Sequence, residues 1–337
     1  MRNSGIYFLI VITVLFFASC TGNDKSSAKQ SDSLAVIKTV ADLDRLIQQN
    51  PKESSSWHKR AQFYFNNRQY DKAIEDVKKA ISIDSTKVGY YLTLSDCYLV
   101  KNQSNLTRQM LLKAIQVDSS NTDALLKLAE LHLYVRLYQD ALNYVNKALR
   151  INENLAKAYF IKGVAYLEIG DTLKAVSSFK TTVEQDQDYY HAYIQLGLLY
   201  ALKGDPIAVD YYNNALNLNP KSEEAHYNLG QYYLEEEQYN KAIEQFSTVI
   251  SINPNNKEAH FSLGYIHYEK LKVYSEALKH FINAAKCDPK FFKAFYMVGL
   301  TYETIGDINN ASKFYSRAIA INPEYIKAKE GLKRVTS

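Results

Sequence analysis

Six prolines punctuate this chain of 337 residues, and four of them (Pro220, Pro254, Pro289 and Pro323) recur at intervals of 34, 35 and 34 residues. Pro51 lies 169 residues before Pro220, one short of five 34-residue periods, and only Pro206 is out of phase. A fixed period of this length means one supersecondary unit repeated, each copy burying its apolar face only against its neighbours. With proline at position 32, repeats begin at Ser54, Val88, Thr122, Ala156, Tyr190, Glu223, Lys257 and Phe292.

Other positions keep the same register. Position 8 holds Ala61, Ser95, Ala129, Gly163, Gly197, Gly230, Gly264 and Gly299, where two helices must approach closely. Position 11 holds Tyr in six repeats and His132 and His267 in the others. Positions 20 and 27 are mostly alanine, from Ala73 and Ala80 to Ala311 and Ala318. Small residues alternating with large ones let antiparallel helices interlock. Gly170-Asp171, Gly204-Asp205 and Gly306-Asp307 fall between the two helices of their units, where a helix ends on glycine. Few glycines (12) and prolines (6) suit a helical chain.

This pattern resembles the tetratricopeptide repeat (TPR), a helix–turn–helix unit of 34 residues. The resemblance implies an all-α solenoid, a right-handed superhelix of antiparallel helix pairs. Eight repeats fill residues 54–325. An unpaired N-terminal cap helix is expected within residues 34–53, and a basic C-terminal cap helix in residues 326–337, since end repeats otherwise expose an apolar face. The fifth repeat is one residue short near Pro206. The seventh is one long within 270–276. Both changes are expected in loops, where insertions are tolerated.

The first residues read as an address. Arg2 precedes a run, Ile6–Ala18, that is apolar but for Thr13 and too short for a comfortable membrane span of about 20 residues. Phe17-Ala18-Ser19-Cys20 resembles the bacterial lipobox, with residues 1–19 as signal peptide and Cys20 as the site of lipid attachment. An ordinary secretory signal with an incidental Cys20 is the other reading. Residues 20–33, rich in Ser, Lys, Asp and Asn, read as a flexible tether. Thr21, where an Asp would signal inner-membrane retention, implies by resemblance an outer-membrane lipoprotein of the bacterial cell envelope, on the periplasmic face.

In known TPR arrays positions 2, 5, 9, 12 and 13 line a concave groove. Carried onto this sequence, the partner-binding groove comprises Phe160, Val164, Ile194, Leu198, Tyr227, Gln231, Phe261, Tyr265, Tyr268, Tyr296 and Leu300. A long apolar stripe usually marks an interaction surface. The competing reading is that position 12, and part of position 5, packs against the next repeat. Two familiar ligand modes do not fit. The clamp for acidic C-termini needs Lys at position 5 and Asn at 9, and no repeat has either. The asparagine ladder of the sugar-transferase superhelix needs Asn at position 6, and only Asn228 complies.

No nucleotide-binding, nucleophile-elbow or metalloprotease motif is present. His226 and His260 at position 4, and His132 and His267 at position 11, are expected to replace packed aromatics with one nitrogen satisfied. Glu235-Glu236-Glu237 reads as a solvated charged run at a helix end. Cys97 and Cys287, in different repeats, are expected to be separate buried thiols. The formal net charge of +4 gives no basic face for nucleic acid. The expectation is a scaffold, not an enzyme, without cofactor or metal. It would hold peptide or helical segments of other envelope proteins, in an assembly or secretion accessory role. The alternative is a glycan- or lipid-binding module using the aromatic groove.

Overall fold

A computed structural model describes residues 39–337. Residues 34–38, the tether, Cys20 and the signal segment lie outside the described residues. Within them the chain forms eight helix pairs, from Ser54–Asn66 with Tyr70–Ile83 to Phe292–Thr304 with Ile308–Ile321. We call the two helices of each repeat A and B. Val40–Gln49 precedes the pairs and Ile326–Thr336 follows them. Every helix packs on its sequence neighbours, and several A helices of successive repeats also touch, which is the order of an all-α solenoid. Among the described residues no helix is long and apolar enough to cross a membrane.

Side-chain size sets the A–B contact of each repeat. In repeats four to eight a glycine at position 8 faces an aromatic ring at the matching place on helix B. The pairs are Gly163–Phe179, Gly197–Tyr212, Gly230–Phe246, Gly264–Phe281 and Gly299–Tyr315. A Cβ on any of these glycines would come within 2.6–2.8 Å of a ring carbon. The first three repeats shift volume from helix B to helix A, with Ala61, Ser95 and Ala129 on the A side and Val77, Leu111 and Val145 on the B side, all buried. The summed volume is kept while its partition changes.

Turns follow two rules. Between A and B, one residue takes a left-handed conformation in every repeat: Arg68, Asn102, Arg136, Gly170, Gly204, Glu237, Lys272 and Gly306. Glycine does this without steric cost, whereas other residues do not. Glu237→Gly is therefore expected to raise stability by about 1 kcal/mol, read as a higher urea midpoint.

Between B and the next A, position 31 is Asp or Asn in all eight repeats. Its side-chain oxygen accepts the backbone N–H two residues on. Thr86 donates to Asp84 at 2.9 Å, Ser120 to Asp118 at 2.9 Å, and so on to Glu324 and Asn322 at 3.1 Å. This Asx turn marks the register more completely than the prolines do.

Both irregular repeats differ from the loop expectation. Repeat seven keeps the usual three residues between helices. Its extra residue is absorbed inside helix A, which ends as a π-helical turn, Ile266–Lys270. Such bulges accommodate single insertions without breaking a helix. In repeat five the connection is longer, not shorter. Helix A stops at Ala201 and helix B starts at Ile207, because Pro206 takes its N-cap and Asp205 accepts the Ile207 N–H at 3.1 Å.

Both ends are tied down. Thr39 and Asp42 form a capping box on the first helix, which buries Leu43 and Ile47. Arg60 of repeat one bridges Asp44 of that helix at 2.7 Å and the buried Asp76 at 2.6 Å. At the other end Arg334 forks onto Glu303 at 2.8 and 2.9 Å, and Tyr315 donates to the same carboxylate. Gly331 lets this last helix lie against the Tyr315 ring.

Candidate functional site

The A-helix face has two chemically different halves. In repeats one to four its charged groups neutralise one another across repeat boundaries. His58 hydrogen-bonds Thr93 at 2.8 Å, Lys127 donates to Asp96 at 2.8 Å, and Lys157 pairs with Glu130 at 3.0 Å. Burial raises the Asp96 pKa against the pull of Lys127. For Lys127 burial opposes the charge, but Asp96, Asp123 and Glu130 outweigh it and the pKa rises. The ladder joins residues of one repeat to residues of the next, so it is invisible within any single repeat.

Repeats four to eight carry the apolar residues, and the structure divides them by position. Position 5 packs within its own repeat, on helix B and on the last residue before the next A helix. Phe160 lies 5.5 Å from Phe179 of its own B helix and 4.9 Å from Tyr189, the last residue of its repeat. Phe261 repeats this with Phe281 and Phe291 at 5.4 and 5.2 Å, and Tyr296 with Tyr315 and Tyr325 at 5.8 and 5.3 Å. These three residues are half-buried and keep one edge in solvent.

Ile194 is a correction to the sequence-derived groove. It is 1% exposed, inside the cluster of Tyr212 and Leu229, and offers nothing to a partner. Val164 and Tyr268 are also buried, at 8% and 9%. Tyr268 sits in the π turn, with its ring 5.5 Å from Tyr274 and its hydroxyl 2.8 Å from Thr304 of the next repeat. The alternative noted for position 12, packing against the next repeat, describes this residue.

Position 9 runs beside it with the same degree of burial. Leu198, Gln231, Tyr265 and Leu300 are half-buried. Gln231 donates to the Tyr227 hydroxyl at 2.9 Å and to Ser262 at 3.1 Å, which fixes Tyr227 over the boundary of repeats six and seven. Burial raises the phenol pKa of Tyr227, Tyr268 and Tyr296, so all three stay neutral. The face therefore presents uncharged rings and aliphatic groups beside a few fixed hydrogen-bonding groups, a surface suited to binding.

The histidines have structural partners or none. His226 and His260 place Nε2 3.2 Å from the carbonyls of Pro220 and Pro254, and Trp57 donates to Pro51 in the same way at 3.0 Å. Position 4 thus ties the A helices of repeats one, six and seven to the turn before them. His132 departs from expectation. It is buried against Tyr144, and neither ring nitrogen has a hydrogen-bond partner. Cys97 is fully buried, and burial together with Asp96 pushes its thiol up to about 12, which makes it inert. Cys287 is only half-buried, short of the expected burial, and both thiols are free. Among the described residues no group of three or more His, Cys, Asp or Glu side chains could hold a metal ion.

Comparison with known proteins follows the same lines. Tetratricopeptide-repeat profiles match residues 43–75, 126–190, 211–244 and 292–325, and a TPR-repeat profile matches 230–270. Tetratricopeptide repeat protein 6 of Homo sapiens is 23% identical over 85% of this chain and 56% of its own length. The human protein O-mannosyl-transferase TMTC1 is 21% identical over 47% of this chain and 19% of its own. The chain therefore spans about half the length of the first of these relatives and about a fifth of the second. A tetratricopeptide repeat protein from Parabacteroides merdae superposes with a TM-score of 0.52 at 17% identity, over 74% of this chain and 99% of that one. A chain of the APC/C hetero-tetramer Cut9-Hcn1 gives 0.52 at 18% identity, over 88% and 58%. These structural likenesses establish the fold.

Proposed function

Because this chain is an all-α solenoid of tetratricopeptide repeats, a fold that generally mediates protein–protein interaction, we propose that it is an envelope-anchored scaffold. In this reading Cys20 carries the lipid that attaches it to the bacterial outer membrane on the periplasmic side. The A-helix face of repeats five to eight holds an extended or helical segment of another envelope protein. No catalytic step is part of the proposal.

The observation that supports it is the row at position 9. Leu198, Gln231, Tyr265 and Leu300 stay half-buried on consecutive repeats, beside the half-buried rings of Tyr227, Phe261 and Tyr296. An apolar row on a preformed surface lowers the ordering cost of binding, and tyrosine is an efficient anchor.

The experiment is crosslinking in intact cells, followed by isolation of the full chain. Tyr265→Ala with Leu300→Ala is expected to lose a defined set of crosslinked envelope proteins, with the repeat fold retained by circular dichroism. Phe261 is left intact because its ring packs on Phe281 and Phe291. An unchanged crosslinked set, or recovery of the chain alone with glycan or lipid bound, would overturn the reading.

A further inference from the structure

Consecutive helices run antiparallel, so all A-to-B turns lie along one edge of the solenoid and all B-to-A turns along the other. The two edges differ in chemistry. Of fifteen large hydrophobic residues exposed among the described residues, eleven lie at A-to-B turns and four at the opposite edge. Solvation alone gives no reason for that asymmetry. The contiguous part spans repeats three to five, where Tyr134, Leu137, Ile169, Leu173 and Leu202 protrude. Leu173 and Leu202 are 79% and 69% exposed. The same turns carry Arg68 and Lys101 in repeats one and two, and Glu236 and Glu237 in repeat six. The apolar stretch is thus bounded on both sides.

Part of the charge beside it is offset locally. Asp171 accepts the Lys174 backbone N–H and pairs with the Lys174 ammonium at 2.7 Å. Asp205 accepts the Ile207 N–H. Arg136 and Lys203 have stems long enough to carry their charge away from an apolar boundary.

The chain also enters on this edge. Val40–Gln49 packs on helix A of repeat one as a B helix would, so Thr39 lies at an A-to-B turn. Ahead of it in sequence stand Ile6–Ala18 and Cys20, and the intervening residues 21–38 can span at most about 60 Å.

We propose that the A-to-B edge of repeats three to five rests on the lipid bilayer, with Leu173 and Leu202 in the headgroup–acyl boundary. The inference rests on the anchored reading above. Lipid fits better than a protein segment because the apolar groups form a row of separate turn tips, not a cleft. The solenoid then lies along the membrane, and its A-helix face stands open to partners beside the surface.

The test places the full chain on phosphatidylethanolamine–phosphatidylglycerol vesicles and compares lipids with and without brominated acyl chains. Trp57, the single native tryptophan, sits at the opposite edge and serves as control. In Leu202→Trp the added emission is expected to fall by at least about half on brominated lipid, as burial at the acyl boundary requires, while wild-type emission stays constant. Vesicle-bound protein whose added emission is unquenched overturns the edge contact and leaves the anchor standing. If that variant also sediments as a dimer, the edge is a self-interface instead. Failure of the full chain to float with vesicles overturns the anchor and the edge together.

Discussion

Truncating Phe281 to alanine is expected to destabilise the C-terminal repeats by about 3–5 kcal/mol, the usual cost of an emptied aromatic site. The ring is fully buried, and it fills the space left by Gly264 on the facing helix. Gly264→Ala is harmful for the opposite reason. Its Cβ would stand 2.6 Å from Cδ1 of that ring, and overpacking of this kind costs about 1–3 kcal/mol, against a gain of up to about 1 kcal/mol in helix propensity.

The decisive variant combines Gly264→Ala with Phe281→Leu. It moves repeat seven toward the partition of repeats one to three, where Ala61 faces Val77 and Ala129 faces Val145. It should recover most of the stability lost in the single variants, giving a coupling energy above about 1 kcal/mol in a double-mutant cycle. Stacked repeats unfold as coupled neighbours, so amide exchange within repeats six to eight is the proper readout. Additive losses would show that the two positions do not share one space.

That partition also explains how much of the molecule was legible. The glycines at position 8 stood out because a small residue recurs there. The residue opposite changes from Val to Leu to Phe to Tyr, so it escapes any search for identity. Only the pairing of Gly264 with Phe281, or Ala61 with Val77, gives it meaning. The prolines gave the right register while missing its more regular marker, the Asx at position 31, because Asp and Asn are common elsewhere. The insertion in repeat seven was visible as a count. Its place inside a helix was not, since a π turn has no distinct composition.

The groove was legible as a face and not as a list. Position 5 and position 9 both read as apolar at helical spacing, yet Ile194 is sealed and Leu198 is not. Which of two neighbouring apolar residues meets the next repeat depends on superhelical packing, to which periodicity is blind. The apolar turn edge was missed because turn residues were judged one repeat at a time.

The same limit hid a histidine cluster in repeat seven, and that cluster makes the C-terminal half sensitive to acid. His260 and His280 face each other with Nδ1 atoms 3.3 Å apart, and the His267 ring stacks on His280 at 5.7 Å with an interplanar angle of 2°. The Pro254 carbonyl can only accept, so Nε2 of His260 carries the hydrogen and its Nδ1 is an acceptor. His280 therefore donates from Nδ1, and the neutral pair is satisfied. A proton arriving at His260 would set two N–H groups against each other.

Burial lowers all three pKa values, and that of His280, which also feels His260, His267 and Lys279 against Glu276, falls to about 4. The unfolded chain titrates near 6.5. Groups with folded values below unfolded ones contribute stability that is present above about pH 6.5 and lost as pH falls toward 4. The slope is at most about 1.4 kcal/mol per pH unit for each extra proton bound on unfolding. Amide protection factors in repeats six to eight, which allow for the slower intrinsic exchange in acid, should therefore fall between pH 6.5 and 4.5 more steeply than in repeats four and five, which lack such a cluster. His280→Leu should flatten that dependence, because it removes both the buried base and the repulsion on its neighbours. An equal slope in wild type and variant would place the acid sensitivity elsewhere.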